Sequence, residues 1–138
     1  QRHKEENLIN CKFIDPMPKQ KLFPYLIKNC DVGLMVLNNI PAFYYGTSPN
    51  KFFDYISAGL PVLNNYPGWL AGMIKEHNCG YSIEPENPQA FADALEHAAN
   101  NKNLLPEMGK KAQQLARQEF NRHNLADKWV TWVTGVVK

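Results

Sequence analysis

The stretch that begins at Thr47 reads TSPNKFFDYISAGLPVLNN and places a helix start, a lysine and a carboxylate close together. Ser48 is a favourable N-cap residue, and Pro49 fits the first helical position, where its missing N–H is no loss. The free peptide N–H groups of the next turn would point outward. Together with the helix dipole and the charge of Lys51, they favour binding of a phosphate or another anion.

Asp54 adds a second kind of chemistry to the same helix. It follows Lys51 by three residues and Asn50 by four, so the three side chains are expected on one helix face. A carboxylate accepts hydrogen bonds from the two hydroxyls of a sugar diol. The sequence therefore predicts one helix end that holds a diphosphate and a sugar diol together. The candidate site residues are Thr47, Ser48, Pro49, Asn50, Lys51 and Asp54.

The alternative is a well-capped surface helix without a ligand, because Ser-Pro followed by lysine is common on plain protein surfaces. The neighbouring segments favour a site. Residues 31–37 form an apolar run typical of a strand covered on both faces, and residues 38–47 read as the loop beyond its carboxyl end. Ligands of open α/β sheets bind at such carboxyl ends. The loop aromatics Phe43, Tyr44 and Tyr45 would either wall a pocket or cover the sheet edge.

The helix and the strand after it resemble the C-terminal nucleotide-binding domain of GT-B-fold glycosyltransferases, in the large retaining group (group 1, family 4 type) that builds bacterial polysaccharides. In that family the helix carries a carboxylate, five residues before a glycine, that binds the ribose hydroxyls of the donor. The matching residue is Asp54, which precedes Gly59, Pro61 and Val62. Further similar segments are IDPMPKQKL from Ile14, NCDVGLMVL from Asn29, CGYSIEPENPQAFADAL from Cys79 and MGKKA from Met108.

The chain departs from the family pattern in two places. The family usually has a second acidic residue eight positions before the ribose-binding one, near the donor sugar, and that position is Gly46. The family's domain also opens with two strands and a basic Arg/Lys pair that grips the diphosphate, and this sequence begins after them. The resemblance therefore implies that residues 1–138 are a single, partial domain whose N-terminal partner domain is missing.

Composition agrees with one domain. The chain has 138 residues, 44% of them apolar, and a net charge of +2 from dispersed charges, so we expect one core and no nucleic-acid partner. No apolar run approaches the eighteen or so residues of a membrane span. Cys11, Cys30 and Cys79 match neither a disulfide framework nor a zinc site, and the histidines are isolated, so no metal is expected. Unpaired thiols fit a cytoplasmic protein, which would reach the inner face of the plasma membrane only through the absent domain.

Short apolar runs alternate with helical patterns, which predicts an α/β fold with a Rossmann-like parallel sheet flanked by helices. Predicted strands cover residues 8–14, 31–37, 60–64 and 81–83. Predicted helices cover residues 18–29, 49–58, 69–77, 88–100, 104–120 and about 124–138. Asn87 is the expected cap of the fourth helix. Trp129 and Trp132 on the last helix read as a core stripe, with an interface to the partner domain as the alternative.

The strand order of the resembled family predicts that one strand edge of this chain lacks its usual neighbours. There the strand matching residues 8–14 lies at the far edge, separated from the strand matching residues 31–37 by the two absent strands. Without them an apolar strand would have unpaired N–H and C=O groups. Either residues 8–14 pair beside residues 31–37, or a second copy of the chain pairs there; we favour the homodimer.

The implied function is the donor-binding part of a glycosyltransferase that moves a sugar from a nucleoside-diphosphate sugar to an acceptor hydroxyl. The resemblance implies retention of configuration, no cofactor besides the donor substrate, and a glycan or lipid-linked acceptor bound mostly by the absent domain. The alternative is a non-catalytic module that binds nucleotide sugars or serves assembly, and Gly46 in place of an acid supports it.

Overall fold

Residues 5, 6 and 8–137 are described by the structure, which is a computed structural model. The strands are β1 (Gly33–Met35), β2 (Val62–Asn64) and β3 (Gly80–Ser82). The helices are α1 (Lys19–Asn29), α2 (Asn50–Ser57), α3 (Trp69–Glu76), α4 (Pro88–Asn100), α5 (Leu105–Glu119) and α6 (Arg122–Val136), with 3₁₀ turns at Pro41–Phe43 and Lys102–Leu104.

The three strands form a parallel sheet in the order β1–β2–β3. Gly33 lies opposite Val62, and Val62 lies opposite Gly80. Helix α2 connects β1 to β2, and α3 connects β2 to β3, as parallel strands require. The α/β class and the parallel, Rossmann-like sheet expected from the sequence are confirmed.

The core lies where α2, α3 and α5 pack against the sheet. Its buried side chains are Met35, Phe52, Ile56, Val62, Tyr66, Leu70, Ile74, Cys79, Ala112, Leu115 and Ala116. Gly109 of α5 lies against the backbone of Gly59, just beyond the end of α2, so closely that a Cβ on Gly109 would meet the Gly59 carbonyl oxygen. This close crossing brings the end of α5 to the side of α2.

Helix α1 packs beside α2 through a smaller cluster. Leu26 is buried with Ala58 and Leu60, and Leu22 and Phe23 pack around them. The helix continues through Pro24 without a break. Its first residue, Lys19, therefore lies close to α2.

The strand predicted for residues 8–14 does not form, and that prediction is wrong. The segment has a turn at residues 9–10 and is otherwise irregular, and Leu8, Ile9, Phe13 and Ile14 are exposed. A strand is stable only when a neighbour satisfies its backbone groups. Among the described residues no strand pairs with residues 8–14, and the sheet ends at β1.

Strand β1 is shorter than the predicted strand 31–37, and its Leu34 is 40% exposed rather than covered. The Gly33 N–H donates to the Pro61 carbonyl, so the alternating backbone pattern turns the Leu34 groups to the open side of the sheet. The Tyr55 hydroxyl donates to the Leu34 carbonyl at 3.4 Å. The sequence also predicted that this edge pairs with a second copy of the chain. Such pairing is a contact between two chains, and it stays a prediction.

Helix α6 is exposed along its length within the described residues, and none of its side chains is buried. Trp129 and Trp132 are 63% and 65% exposed, so the prediction that they belong to the core is wrong. Their spacing put both on one stripe, but no other element packs over that stripe.

The remaining helices follow the sequence closely. Helix α4 begins and ends where predicted, and the Asn87 side chain caps it by accepting from the Ala90 N–H at 2.9 Å. Ala98 is the buried residue of this helix, while Leu95 is partly exposed. Helix α4 therefore rests on the domain through a narrow apolar stripe.

Candidate functional site

A cleft of about 510 Å³ lies beside α2, between α1 and the start of α6. Its volume falls in the range of pockets that hold small molecules. The residues that line it are Lys19, Phe23, Asn50, Phe53, Asp54, Ser57, Phe120, Arg122 and Leu125. The cleft thus brings together charged, amide and aromatic groups from three separate segments of the chain.

Asp54 is the acidic side chain of this cleft. Its Oδ1 lies 2.6 Å from Nζ of Lys19, and the Asp54 side chain is 23% exposed whereas that of Lys19 is 67% exposed. A charge-assisted contact of this length fixes the direction of the carboxylate. Within the described residues Lys19 is the ion-pair partner of Asp54, and a carboxylate accepts further hydrogen bonds, such as those of ligand hydroxyls.

Asn50 lies one turn before Asp54 and lines the same cleft, as their spacing predicted. It is the first residue of α2, so the N–H groups of Asn50 and Lys51 are at the end of the helix, where no preceding turn provides acceptors. The next amide, from Phe52, already donates to the Pro49 carbonyl at 3.0 Å. Two amides, rather than a full turn, are therefore free for an anion.

Ser48 is not the N-cap, and that prediction is wrong. Pro49 occupies the N-cap position with φ −67° and ψ 132°, and no side chain caps the helix. The helix begins one residue later than the sequence indicated because Pro49 stays extended. The start of α2 is thus uncapped, and its first amides keep their hydrogen-bonding capacity.

The other predicted residues lie outside the cleft lining. Lys51 is exposed, and Ser48 is exposed as well. Thr47 is half-buried, its carbonyl accepts from the Trp69 indole N–H at 3.2 Å, and it lines a separate hollow with Phe43. The structure therefore brings Asn50 and Asp54 together and leaves Lys51 exposed and outside the cleft lining.

Aromatic rings form the walls of the cleft. Phe53 and Phe120 meet edge to face, with ring centroids 5.0 Å apart, and Phe120 also contacts Phe52 and Trp69. Phe23 adds a ring from α1. Flat apolar walls beside polar groups suit a planar heterocycle or a sugar ring.

Sequence reasoning missed the cleft residues contributed by α1 and by the start of α6. Lys19 and Arg122 lie 35 and 68 positions from Asp54 in the chain. No local spacing relates them to α2. Only the packing of α1 and α5 against α2 brings them to one place.

A second hollow of about 320 Å³ lies at the carboxyl ends of the strands. It is lined by Val36, Asn65, Ile83, Glu84, Glu86, Asn87, Pro88 and Phe91. The Asn65 amide bonds to both the N–H and the carbonyl of Leu37, at 2.8 and 2.9 Å. The side chain of Asn65 therefore joins two strand ends and is occupied by a structural role.

Residues 5, 6 and 8–137 contain no group of three His, Cys, Asp or Glu side chains that could hold a metal ion. Within the same residues, no helix is both long enough and apolar enough to cross a bilayer.

Burial raises the pKa of Tyr55, and the charges of Cys30 and Asp54 raise it further. The Tyr55 hydroxyl therefore stays protonated where it donates to Leu34.

The fold and the cleft are those of an α/β, Rossmann-like domain with a polar site beside a helix start. Over residues 1–115 the chain matches the family described as Glycosyl transferases group 1. The chain belongs to this family, and it is a glycosyltransferase domain whose substrates are a nucleotide-sugar donor and an acceptor. Searches of curated proteins and of solved structures gave no match.

Proposed function

We propose that this chain is the donor-binding part of a retaining, family 4-type glycosyltransferase that acts in the synthesis of a bacterial surface polysaccharide. The product would be a capsule, an O-antigen or an exopolysaccharide. The observation that supports donor binding most is the cleft in which Asp54 and Asn50 lie together between aromatic walls. The enzyme would be cytoplasmic, and it would need neither a metal nor a cofactor besides the donor.

In this proposal Asp54 binds the ribose of the donor. Lys19 holds one oxygen of the carboxylate, and the other oxygen would accept from a ligand that enters the cleft. A carboxylate accepts from two vicinal hydroxyls, which a ribose supplies. The base would lie against the phenylalanine walls.

The start of α2 and Lys51 would act on the diphosphate. Negative charge develops on the leaving diphosphate as the glycosidic bond breaks, so groups placed there stabilise the transition state more than the bound donor. The free amides of Asn50 and Lys51 and the lysine ammonium are such groups. The acceptor would be bound mostly by an upstream domain.

Activity of the full-length protein tests this proposal. We expect nucleotide release and sugar transfer with at least one donor from a panel of nucleoside-diphosphate sugars, and no measurable transfer by the 138-residue chain alone. Lys51→Ala should lower kcat/KM by roughly ten- to a thousandfold, about 1.4 to 4 kcal/mol of lost charge stabilisation.

Lys75→Ala is the matched control, because Lys75 is an exposed lysine in the last turn of α3, away from the cleft. It should leave kcat/KM unchanged. Equal kinetics for Lys51→Ala and the wild type would remove Lys51 from the diphosphate site, and absence of transfer with every donor would contradict the enzyme proposal.

A non-catalytic nucleotide-sugar-binding or assembly module is the second candidate, and Gly46 favours it. Gly46 lies where the family usually has an acid near the donor sugar, and no atom lies within 4 Å of the position that a Cβ would take. A Cβ at this position would therefore meet no steric obstacle. Donor binding without nucleotide release in the full-length protein would support this candidate.

A further inference from the structure

Within the described residues, one cation of the cleft has no ion-pair partner. The charged side chains of the cleft are Lys19, Asp54 and Arg122. Lys19 is engaged with Asp54 at 2.6 Å, whereas Arg122 forms no ion pair within the described residues. The cleft thus carries a net positive charge located at Arg122.

The backbone around Arg122 is held in place from both sides. The preceding Phe120 packs its ring against Phe53 and Phe52, beside α2. The Asn121 side chain caps α6 by accepting from the N–H groups of His123 and Asn124, at 3.0 and 3.3 Å. Arg122 is therefore the first residue of a capped helix, and its position is fixed relative to Asp54.

This capping also decides which group can reach an anion. The amides of His123 and Asn124 already have acceptors, so the start of α6 offers little through its backbone. The guanidinium is the free donor, and its planar fork matches the paired oxygens of a phosphate.

We propose that Arg122 contacts a phosphate of the nucleoside diphosphate whose ribose binds Asp54. The proposal rests on the proposed donor site and adds a residue outside the segment that matches the family, which ends at residue 115. Asp54, the aromatic walls and Arg122 then bind the ribose, the base and the phosphate in one cleft.

Titration of the full chain with UDP, GDP, CDP, ADP and dTDP, and with the matching nucleosides, tests the proposal. Arg122→Gln should weaken binding of the preferred diphosphate by about ten- to a hundredfold, because a charged hydrogen-bonding group is lost. It should change nucleoside affinity by less than about twofold, since the nucleoside has no phosphate. Asp54→Ala should weaken both.

Arg117→Gln is the matched control. Arg117 is exposed on α5, its guanidinium donates to Gln113 at 3.0 Å, and it does not line the cleft. Circular dichroism of all variants should show the wild-type helix content. Equal diphosphate affinity of Arg122→Gln and Arg117→Gln would overturn the proposal for Arg122 alone. Failure of the wild-type chain to bind every diphosphate would overturn the donor site and, with it, the role of Arg122.

Discussion

Asp54 and Lys19 show how a single contact prepares a binding residue. The ammonium of Lys19 is mostly exposed, so the pair adds little to the stability of the fold, about 0–1 kcal/mol. Its main effect is to orient the Asp54 carboxylate, which it holds toward the cleft. A residue that is positioned before the ligand arrives loses less entropy on binding.

The buried thiol of Cys79 leads to a prediction about how stability depends on pH. Burial raises the pKa of its thiol from 9.0 to about 11, and the side chain is fully buried. The folded state keeps the proton that the unfolded state releases above pH 9. This contribution to stability is therefore complete below pH 9 and is lost between pH 9 and 11.

Urea unfolding at several pH values measures this loss. We expect the free energy of unfolding to fall by about 1 kcal/mol per pH unit from the Cys79 thiol above pH 9. Cys79→Ala should remove that part of the slope, while Cys11→Ala, which removes an exposed thiol, should keep it. The same slope in both variants would show that the thiol is not the cause.

At the scale of elements, the crossing of α5 over the end of α2 positions the cleft. Gly59 has φ +74°, a conformation that suits glycine, and it turns its carbonyl toward Gly109. The close approach brings Phe120, just after α5, against Phe53 of α2. Gly109 thus contributes to the site through packing rather than through contact with a ligand.

Gly109→Ala tests this packing. The added methyl group would meet a backbone oxygen that cannot rotate away, so we expect a loss of about 1–3 kcal/mol in the free energy of unfolding. Gly72→Ala is the control within α3, where a Cβ meets no atom within 4 Å, and it should gain about 0.5–1 kcal/mol. Equal effects of the two substitutions would contradict the close crossing.

Elements with strong local signals were predictable from the sequence. Helix α4 has a capping Asn87, and α3 and α5 carry clear apolar patterns. All three helices form close to their predicted bounds. Residues 8–14 have an equally apolar pattern but no strand beside them. A strand depends on a partner elsewhere in space, which a local pattern does not report.

Only the part of the site that lies on a single helix was predictable from the sequence. Asn50 and Asp54 share a face of α2 because their spacing equals about one turn. Lys19 and Arg122 reach the same cleft through the packing of α1 and α5, and no spacing in the sequence relates them to α2. The N-cap is Pro49 rather than Ser48 because of one backbone angle at Pro49. Both residue types permit either position, so the sequence does not decide between them.

At the scale of the whole molecule, the cleft and the exposed apolar surfaces involve different residues. The cleft lies beside α2, whereas the exposed Trp129 and Trp132 lie on α6 and the open strand edge lies at β1. The residues that line the cleft do not include Trp129, Trp132 or Leu34. The central claim can be tested on the chain by itself.

The most direct test is an NMR titration of the chain with a nucleoside diphosphate. We predict shifts of the backbone amides from Asn50 to Asp54, together with those of Lys19 and Arg122. Most of these residues line the cleft, and the others belong to the same first turn of α2. Asp54→Ala should reduce the shifts at a given concentration. Shifts confined to the hollow beside Asn65 and Glu84, or unchanged nucleotide binding in Asp54→Ala, would contradict the account.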